Sequence, residues 1–399
     1  LGWTAGQGWD AIVVGLGPAG AAAAVELARA GARVLALDGR PRRPKPCGGC
    51  LSARALKDMA FLDPPEWLGA YPVDQLWLTA PGRDAHHSRT TSAGAFFVDR
   101  GRLDDFFRQR AHEAGAEVRK LRARGLAQEG GGYTVAAGGE VYRAPWLIAA
   151  DGAGGLVGRA LGKAWGLGRT SFVYAALVEE RRLRPGEERL ARLLEGSALL
   201  ELGGVAGGYG WAFLRGGTLN LGLAGRAVRG GNHAAGAREL GLQERYARFL
   251  ARHGLGRPGP WRGAAIPCPD GRPIRLAAGR AAVAGDAAAA ADPFLGEGIG
   301  QAVLSGRLAA RGVIAGDLTL YAREMAATLY REHAHARLLA RLVYGAPGFF
   351  QSLARRCPGA TELAWEVLRG QRGHGGIWGG VGRGIWDSLG GGDGQAARP

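Results

Sequence analysis

The sequence predicts an α/β protein: a Rossmann-type nucleotide-binding domain interrupted by an antiparallel-sheet domain, with a helical region towards the C-terminal end. Three observations carry this. An apolar run at 10–14, DAIVV, leads into Gly-x-Gly-x-x-Gly and then an alanine-rich segment. A second apolar run ending in Gly-Asp recurs at 280–286, again ahead of a helix-forming stretch. Between them, residues 165–265 are rich in short strand patterns such as SFVYAALVEE, SALLELGG, YGWAFL and TLNLGLAG.

DAIVV is continuously apolar, as a strand buried on both faces of a parallel sheet must be. GLGPAG follows at 15–20, then the helix former AAAAVELARAGA, then a second strand, RVLAL, at 33–37. Asp38 ends that strand, 23 residues after Gly15. In this β–turn–α–β setting the glycines read as a dinucleotide fingerprint. Gly15 allows the tight turn, Gly17 the close approach of a pyrophosphate, and Gly20 the packing of helix on strand. The helix N-terminus, beside Ala19, offers free N–H groups and a partial positive charge to phosphates. Asp38 is placed to bond ribose hydroxyls, with Gly39 and Arg40 beside it. Only one such fingerprint occurs, which favours a single bound dinucleotide.

The remaining elements follow in order. Residues 41–46 are rich in Pro and Arg and form a loop; 52–59 make a short helix; 67–98 suggest antiparallel strands. An amphipathic helix covers 103–115, with strands at 117–118, 133–135 and 146–150, the last ending at Asp151-Gly152. A helix at 242–254 intervenes in the strand-rich block. Helices cover 299–314 and 318–342, and the glycine-rich tail beyond 370 is expected to be mobile. The expected partition is 1–65, 98–165 and 270–320 for the nucleotide domain, 66–97 and 166–269 for the antiparallel-sheet domain, 321–370 for the helical region and 371–399 for the tail.

Composition narrows the function classes. The chain has 399 residues, 47% hydrophobic and 22% charged, enough for a sizeable core. The net charge is +16, nearly all from arginine, since only Lys45, Lys57, Lys120 and Lys163 are lysines. A solvated arginine-rich surface is the plain reading, and attraction to phosphorylated substrates or acidic lipid headgroups the sharper one. No basic motif interleaved with aromatics suggests nucleic acid. Four cysteines, Cys47, Cys50, Cys268 and Cys357, are too few for a disulfide scaffold and fit a reducing cytoplasm. No apolar run reaches the ~20 residues of a membrane span. No metal site is expected: there is no second CxxC, and His333 and His335 are two apart on a helix, facing different sides.

The late segment AAVAGDAAAAADPFLGEGIGQAVLSG, 281–306, completes the picture. Asp286 ends a strand where it can bond a ribityl hydroxyl, and the helix starting near Gly298 points N–H groups at a flavin edge. Together with GLGPAG, KPCGGCLS at 45–52, VDRGRLD at 98–104, ADGAGG at 150–155 and YGWAF at 209–213, the chain resembles FAD-dependent oxidoreductases of the p-hydroxybenzoate hydroxylase type. Within these it is most similar to the geranylgeranyl reductase family.

That resemblance implies a Rossmann-type FAD-binding domain and places Arg100 against the FAD phosphates or adenosine. It puts Asp151 and Gly152 near the pyrophosphate, Gly285 and Asp286 on the ribityl chain, and Pro293, Gly296, Gly298 and Ile299 along the isoalloxazine. Cys47, Gly48 and Gly49 fall beside the active flavin face. Tyr209, Trp211 and Phe213 alternate on one strand face and, by resemblance, line an apolar substrate cavity; Leu214 stands where the family has proline. Cys47, Tyr209 and Trp211 are the candidate catalytic side chains. A disulfide between Cys47 and Cys50 is a minor alternative, packing cysteines another.

The implied activity is saturation of C=C bonds in a polyprenyl chain on a lipid, diphosphate, chlorophyll or quinone, by hydride from reduced FAD. The external reductant would be NAD(P)H or a ferredoxin-like donor. Alternatives are an aromatic or polyketide monooxygenase, or a halogenase-like enzyme, on the same scaffold. Halogenation is disfavoured because Tyr209 replaces a Trp and no Lys lies between Lys57 and Lys120. A non-catalytic electron carrier would have its ring sealed by packed side chains. Residues 336–356 are apolar with flanking arginines, and read either as a packing helix or as a peripheral contact with an anionic membrane around a cytoplasmic protein. The sequence sets no oligomeric state.

Overall fold

A computed structural model describes residues 8–39, 45–165, 171–227 and 233–377. Arg40 and the tail from 378 onward lie outside the described residues. The strand Ala11–Val14 sits centrally in a six-stranded sheet, between Val34–Leu37 and Trp146–Ala149, with Glu117–Arg119 at one edge. Ala281–Val283 extends the other side in parallel, and Ala277–Ala278 closes it as an antiparallel edge. The four residues of Ala11–Val14 are buried because both faces of the sheet are covered.

One covering layer is a helix pair. Pro18–Arg29, with proline in its first turn, packs against Ile299–Ala315. Their approach is close: a Cβ on Gly306 would stand 1.9 Å from the Ala19 carbonyl oxygen. The other layer is a three-stranded meander, Ala123–Glu129, Gly132–Ala137 and Glu140–Ala144, which gives Val135, Tyr142 and Ala144 to the same core. The sequence reading found only the middle strand. The flanking strands are half polar, and their turns are Gly130-Gly131 and Gly138-Gly139, all at positive φ.

The second sheet has seven strands, in the order Trp261–Pro269, Ser171–Arg182, Thr218–Ala227, Tyr209–Arg215, Ser197–Leu202, Gln75–Thr79 and His86–Arg89. It is not wholly antiparallel as expected, since Gln75–Thr79 and Ser197–Leu202 run parallel. A parallel pair needs a long connection, and here the chain completes much of the first sheet before returning. Ala95–Phe97 leaves this sheet altogether and pairs with Cys50–Ser52 and Pro72–Val73. Tyr246, Phe249 and Leu250 of the helix Leu242–Arg252 cover one face of the seven-stranded sheet. The other face carries Trp211 and Phe213 and looks towards the nucleotide side.

The C-terminal region is helical as expected, through Leu318–Met325, a π-helical turn at Ala326–Tyr330, and Arg331–Gly345. Two further helices, Pro347–Arg356 and Pro358–Leu368, each restart at a proline. No helix among the described residues is long and apolar enough to cross a membrane.

Candidate functional site

One cavity of about 1160 Å³ runs from the first glycine turn, past the late Gly-Asp loop, to the aromatic face of the second sheet. Its first end lies outside the carboxyl ends of the central strands, where strand order reverses and ligands of such sheets bind. Gly15 has φ +91°, and a Cβ there would meet the Ala150 carbonyl at 2.4 Å. Gly20 is tighter still: its Cβ would stand 1.7 Å from the Gly15 oxygen. Gly15, Gly17 and Ala19 line the cavity, while Gly20 lies behind them as the packing glycine.

Asp38 is buried at the tip of its strand and accepts from Arg108 Nε at 3.1 Å. It lines the cavity with Gly39. Across the cavity, Asp286 pairs with Lys45 from the loop ahead of Cys47. Arg100 lies against Asp104 (3.0 Å) and Cys47; burial opposes its charge, and these two neighbours more than offset that, so its pKa is raised. Arg122, Arg124 and Arg159 add three guanidinium groups that the sequence gave no local signal for.

Asp151 has a structural duty. Its carboxylate accepts from the Val157 N–H at 2.7 Å and the Gly158 N–H at 3.1 Å, at the start of the helix Leu156–Ala164. Burial pushes its pKa up and these N–H donors pull it back. Gly152 and Gly285 have positive φ, and both line the cavity. Gly296, Gly298 and Ile299 line it too, whereas Pro293 faces a second pocket.

The loop at 45–52 closes against the second sheet. Gly49 has φ +68° and no room for a Cβ, which would meet the Val98 carbonyl at 2.6 Å. Gly48 sits under Trp211 and Phe213, 3.4 Å from the Phe213 ring at its notional Cβ. All four cysteines are free, so the pair Cys47 and Cys50 is not a disulfide. Burial raises the Cys50 thiol far above its usual range, with Glu297 and Cys47 adding to the effect.

Tyr209, Trp211 and Phe213 all line the cavity, Phe213 stacked on Phe97 at 4.7 Å. Two of their polar groups are engaged. The Tyr209 hydroxyl donates to the Leu295 carbonyl at 2.5 Å, and the Trp211 indole N–H to Asn220 Oδ1 at 2.9 Å. Burial drives the Tyr209 pKa up further. Neither group is aimed as a free acid.

The acid that sequence reasoning missed is Glu297. It lines the cavity among the loop glycines and accepts from the Ser52 hydroxyl at 2.5 Å and the Ser52 N–H at 3.3 Å. Burial raises its pKa, the Ser52 hydroxyl pulls it back, and Asp292 pushes it up again. The far wall also went unread: Phe350, Leu353, Leu363, Trp365 and Leu368 come from the two proline-started helices. Helical periodicity was visible there, but not which face would meet a cavity formed some 150 residues earlier in the chain.

Glycines without room for a Cβ, a helix N-terminus, a carboxylate at each strand tip and several guanidinium groups together fit an elongated dinucleotide, and the apolar remainder fits its ring and a greasy second ligand. The fold and site thus define a FAD-binding oxidoreductase. A family described as FAD binding domain matches residues 9–184. The menaquinone reductase of Mycolicibacterium smegmatis is 32% identical over 379 residues, covering 90% of this chain and 91% of that protein. Digeranylgeranylglycerophospholipid reductase 1 of Methanopyrus kandleri is 29% identical over 310 residues, 75% and 79% of the two chains. Among solved structures, a geranylgeranyl bacteriochlorophyll reductase-like protein from Thermoplasma acidophilum superposes with TM-score 0.73 at 20% identity, covering 96% of this chain and 98% of that one. The chain belongs to the geranylgeranyl reductase family of FAD-dependent oxidoreductases.

Proposed function

We propose that the protein saturates isolated C=C bonds in the polyprenyl tail of a membrane lipid or quinone, one hydride and one proton per bond. The observation that carries this reading is the continuity of the cavity: among the described residues, the glycine cradle opens directly into an aromatic and aliphatic chamber with no sealing layer between them. The names of relatives, a menaquinone reductase and a digeranylgeranylglycerophospholipid reductase, support a prenylated substrate.

FAD, once reduced by NAD(P)H or a ferredoxin-like donor, supplies the hydride. Gly15, Gly17, Asp38, Arg100, Gly285 and Asp286 would hold it. The chain's own tasks are alignment, exclusion of water and proton supply. An unactivated alkene has no carbonyl to stabilise developing charge, so alignment in a dry chamber is decisive. Trp211, Phe213, Phe350 and Trp365 supply apolar walls for that purpose. Glu297, a partly buried acid whose pKa burial raises, is the proton store we favour, with Cys47, which lines the same cavity, as the second candidate. The exposed flank of the C-terminal helices would rest on the membrane that carries the substrate.

The test is anaerobic. The flavin is reduced with dithionite and prenylated quinones and lipids are added. Flavin reoxidation with a product heavier by two hydrogens supports the reading. Reoxidation only by oxygen, with oxygen inserted into an aromatic substrate, would replace it with a monooxygenase.

A further inference from the structure

Two acids stand at the feet of one turn. The Asp292 N–H donates to the Glu297 carbonyl at 2.8 Å, which closes the loop between them. Three tyrosine hydroxyls hold that loop from outside: Tyr174 on the carbonyl of Pro293, Tyr344 on that of Phe294 and Tyr209 on that of Leu295. Asp292 Oδ1 accepts the N–H groups of Phe294 and Leu295, both at 2.8 Å. Its Oδ2 faces the His374 ring instead, 3.5 Å from Nε2.

The other side of the ring meets a second carboxylate. Nδ1 lies 3.8 Å from Glu332 Oε2, which also accepts the His374 backbone N–H at 2.7 Å. The line Glu332–His374–Asp292 runs inward, its side chains 22%, 9% and 3% exposed. His374 also lines the main cavity. An acid near the surface, a ring in the wall and an acid under the loop thus lead from solvent to the turn that ends in Glu297.

Of the two buried histidines here, one suits proton carriage near neutral pH. Burial lowers the His333 pKa to about 4, with Asp292 opposing, so that ring stays neutral. For His374 burial also disfavours the charge, but Asp292 and Glu332 outweigh it and Arg54 opposes them only in part. His335 stands beyond the turn, its ring 3.0 Å from a notional Cβ on Gly375. A histidine between two carboxylates, able to gain and lose its proton in the neutral range, is a shuttle by its chemistry.

We propose that His374 is the proton entry of the cavity: it takes a proton beside Glu332 and passes it, by way of Asp292, to the Glu297 carboxylate. The inference rests on the proposed reduction for its purpose, because each saturated bond spends one proton and leaves Glu297 to be reloaded. No electrons move in this step. An N–H bond of the ring breaks, an O–H bond forms, and the ring regains its proton from water beside Glu332.

The test uses the FAD-loaded protein, and its first arm needs no substrate. Photoreduction of the bound flavin draws a proton into the cavity, and a pH indicator in weakly buffered solution follows the uptake. His374→Gln is expected to slow that uptake roughly tenfold or more, and added imidazole to restore it. Wild-type uptake should slow as pH rises through the raised pKa of the ring. Glu332→Gln keeps an acceptor for the His374 N–H but loses the charge that favours the protonated ring, so its slowing should begin at lower pH. Uptake at the wild-type rate in His374→Gln, slowing that imidazole does not restore, or an unmoved pH dependence in Glu332→Gln overturns the proposal.

The second arm adds a prenylated naphthoquinone to the dithionite-reduced enzyme. His374→Gln should saturate its first bond as wild type does and slow only on later ones, because Glu297 starts loaded. Equal slowing of first and later bonds overturns the reloading of Glu297. Wild type that reduces no prenyl bond, while His374→Gln still slows proton uptake, sinks the functional reading alone; prenyl reduction with unchanged uptake sinks this inference alone.

Discussion

The Asn220 side-chain amide donates to the carbonyl oxygen of Cys47 at 2.9 Å, joining the second sheet to the loop at 45–52 that lines the cavity. The same amide, through its oxygen, accepts the Trp211 indole N–H at 2.9 Å. An aromatic wall, one asparagine and the cysteine loop thus form a single hydrogen-bonded line. Trp211 has two jobs, as an apolar surface and as the donor that fixes which way Asn220 faces. The Cys47 thiol takes part in a separate contact, accepting from the Gly49 N–H at 3.3 Å.

Replacing Asn220 with Ala removes both bonds and leaves the Trp211 N–H and the Cys47 carbonyl without these partners. A buried polar group left so costs about 1–3 kcal/mol. Since the loop's position is what that bond secures, kcat is expected to fall roughly tenfold, about 1.4 kcal/mol in the barrier. FAD content, read from the visible absorbance, should stay at one per chain. Loss of the flavin would show that the loop holds the cofactor rather than the reacting bond.

The residues at the glycine-turn end of the cavity were legible because each glycine and acid there answers a local demand. Gly15 and Gly20 have no space for a Cβ; Asp38 directly follows its strand and Asp286 lies in the turn after Ala281–Val283, strands whose apolar runs are plain in the sequence. Tyr209, Trp211 and Phe213 were legible as one face because a strand alternates. Asn220 was not. It is an ordinary polar residue in TLNLGLAG, and only pairing of its strand with Tyr209–Arg215 brings it under Trp211. Glu297 was hidden among loop glycines; the hydroxyl that binds it belongs to Ser52, 245 residues away. Arg122, Arg124 and Arg159 were lost in a background of many arginines. Patterns of period two and 3.6 survive in a sequence, whereas partners brought together by the chain's return do not.

The helix pair beneath the glycine turn offers a stability prediction. Gly306 is a mid-helix glycine that an ordinary helix would replace with alanine at a gain of about 1 kcal/mol. Here its missing Cβ lets the Ala19 carbonyl approach, with an Ala Cβ falling 1.9 Å from that oxygen. Gly306→Ala is therefore expected to destabilise, by about 1–3 kcal/mol from overpacking. Because Ala19 lies in the first turn of the cofactor helix, FAD affinity should weaken too. Urea midpoints and fluorescence titration of the apoprotein with FAD measure both; an unchanged or raised midpoint would mean the helices separate without cost.

His374 ties the last described turn to the body of the protein. Its backbone N–H donates to Glu332 at 2.7 Å, and its ring lies 3.5 Å from Asp292 and 3.8 Å from Glu332. Burial disfavours the charged ring, but Asp292 and Glu332 overcome this and raise its pKa. Glu332 is held at about 2, first by the His374 ring and then by its backbone N–H. The signs follow. A raised histidine stabilises the fold fully below its unfolded value near 6.5, and that share is lost as pH rises through the folded value. A depressed carboxylate stabilises above its unfolded value of roughly 4.3 and loses that share only as pH falls towards 2. Melting temperature should therefore decline for wild type between neutral and alkaline pH. His374→Gln should lower it near pH 6 and flatten that decline. Parallel curves for the two proteins would remove the ring from this account.

Glu297 offers the sharpest division between a structural and a chemical role. Burial raises its pKa, so at neutral pH more of it stays protonated than for an exposed acid. If it supplies the proton, turnover should fall as pH rises through its pKa. Glu297→Gln keeps the shape and the Ser52 contact but holds no transferable proton. Its kcat should drop by roughly a hundredfold or more, the usual scale for removing a general acid, and its alkaline limb should disappear. Ser52→Ala acts oppositely on the titration: the Ser52 hydroxyl favours the charged carboxylate, so losing it should move the alkaline limb to higher pH. That variant also loses the helix cap on Ala55, worth about 1 kcal/mol, which a separate melting curve would register. Stability gives an independent sign. A raised carboxyl stabilises below its unfolded value and loses that share as pH climbs through its folded value, so Glu297→Gln should resist alkaline unfolding better than wild type. A slow variant with the wild-type alkaline limb intact would assign Glu297 to holding the loop and return proton supply to Cys47 or water.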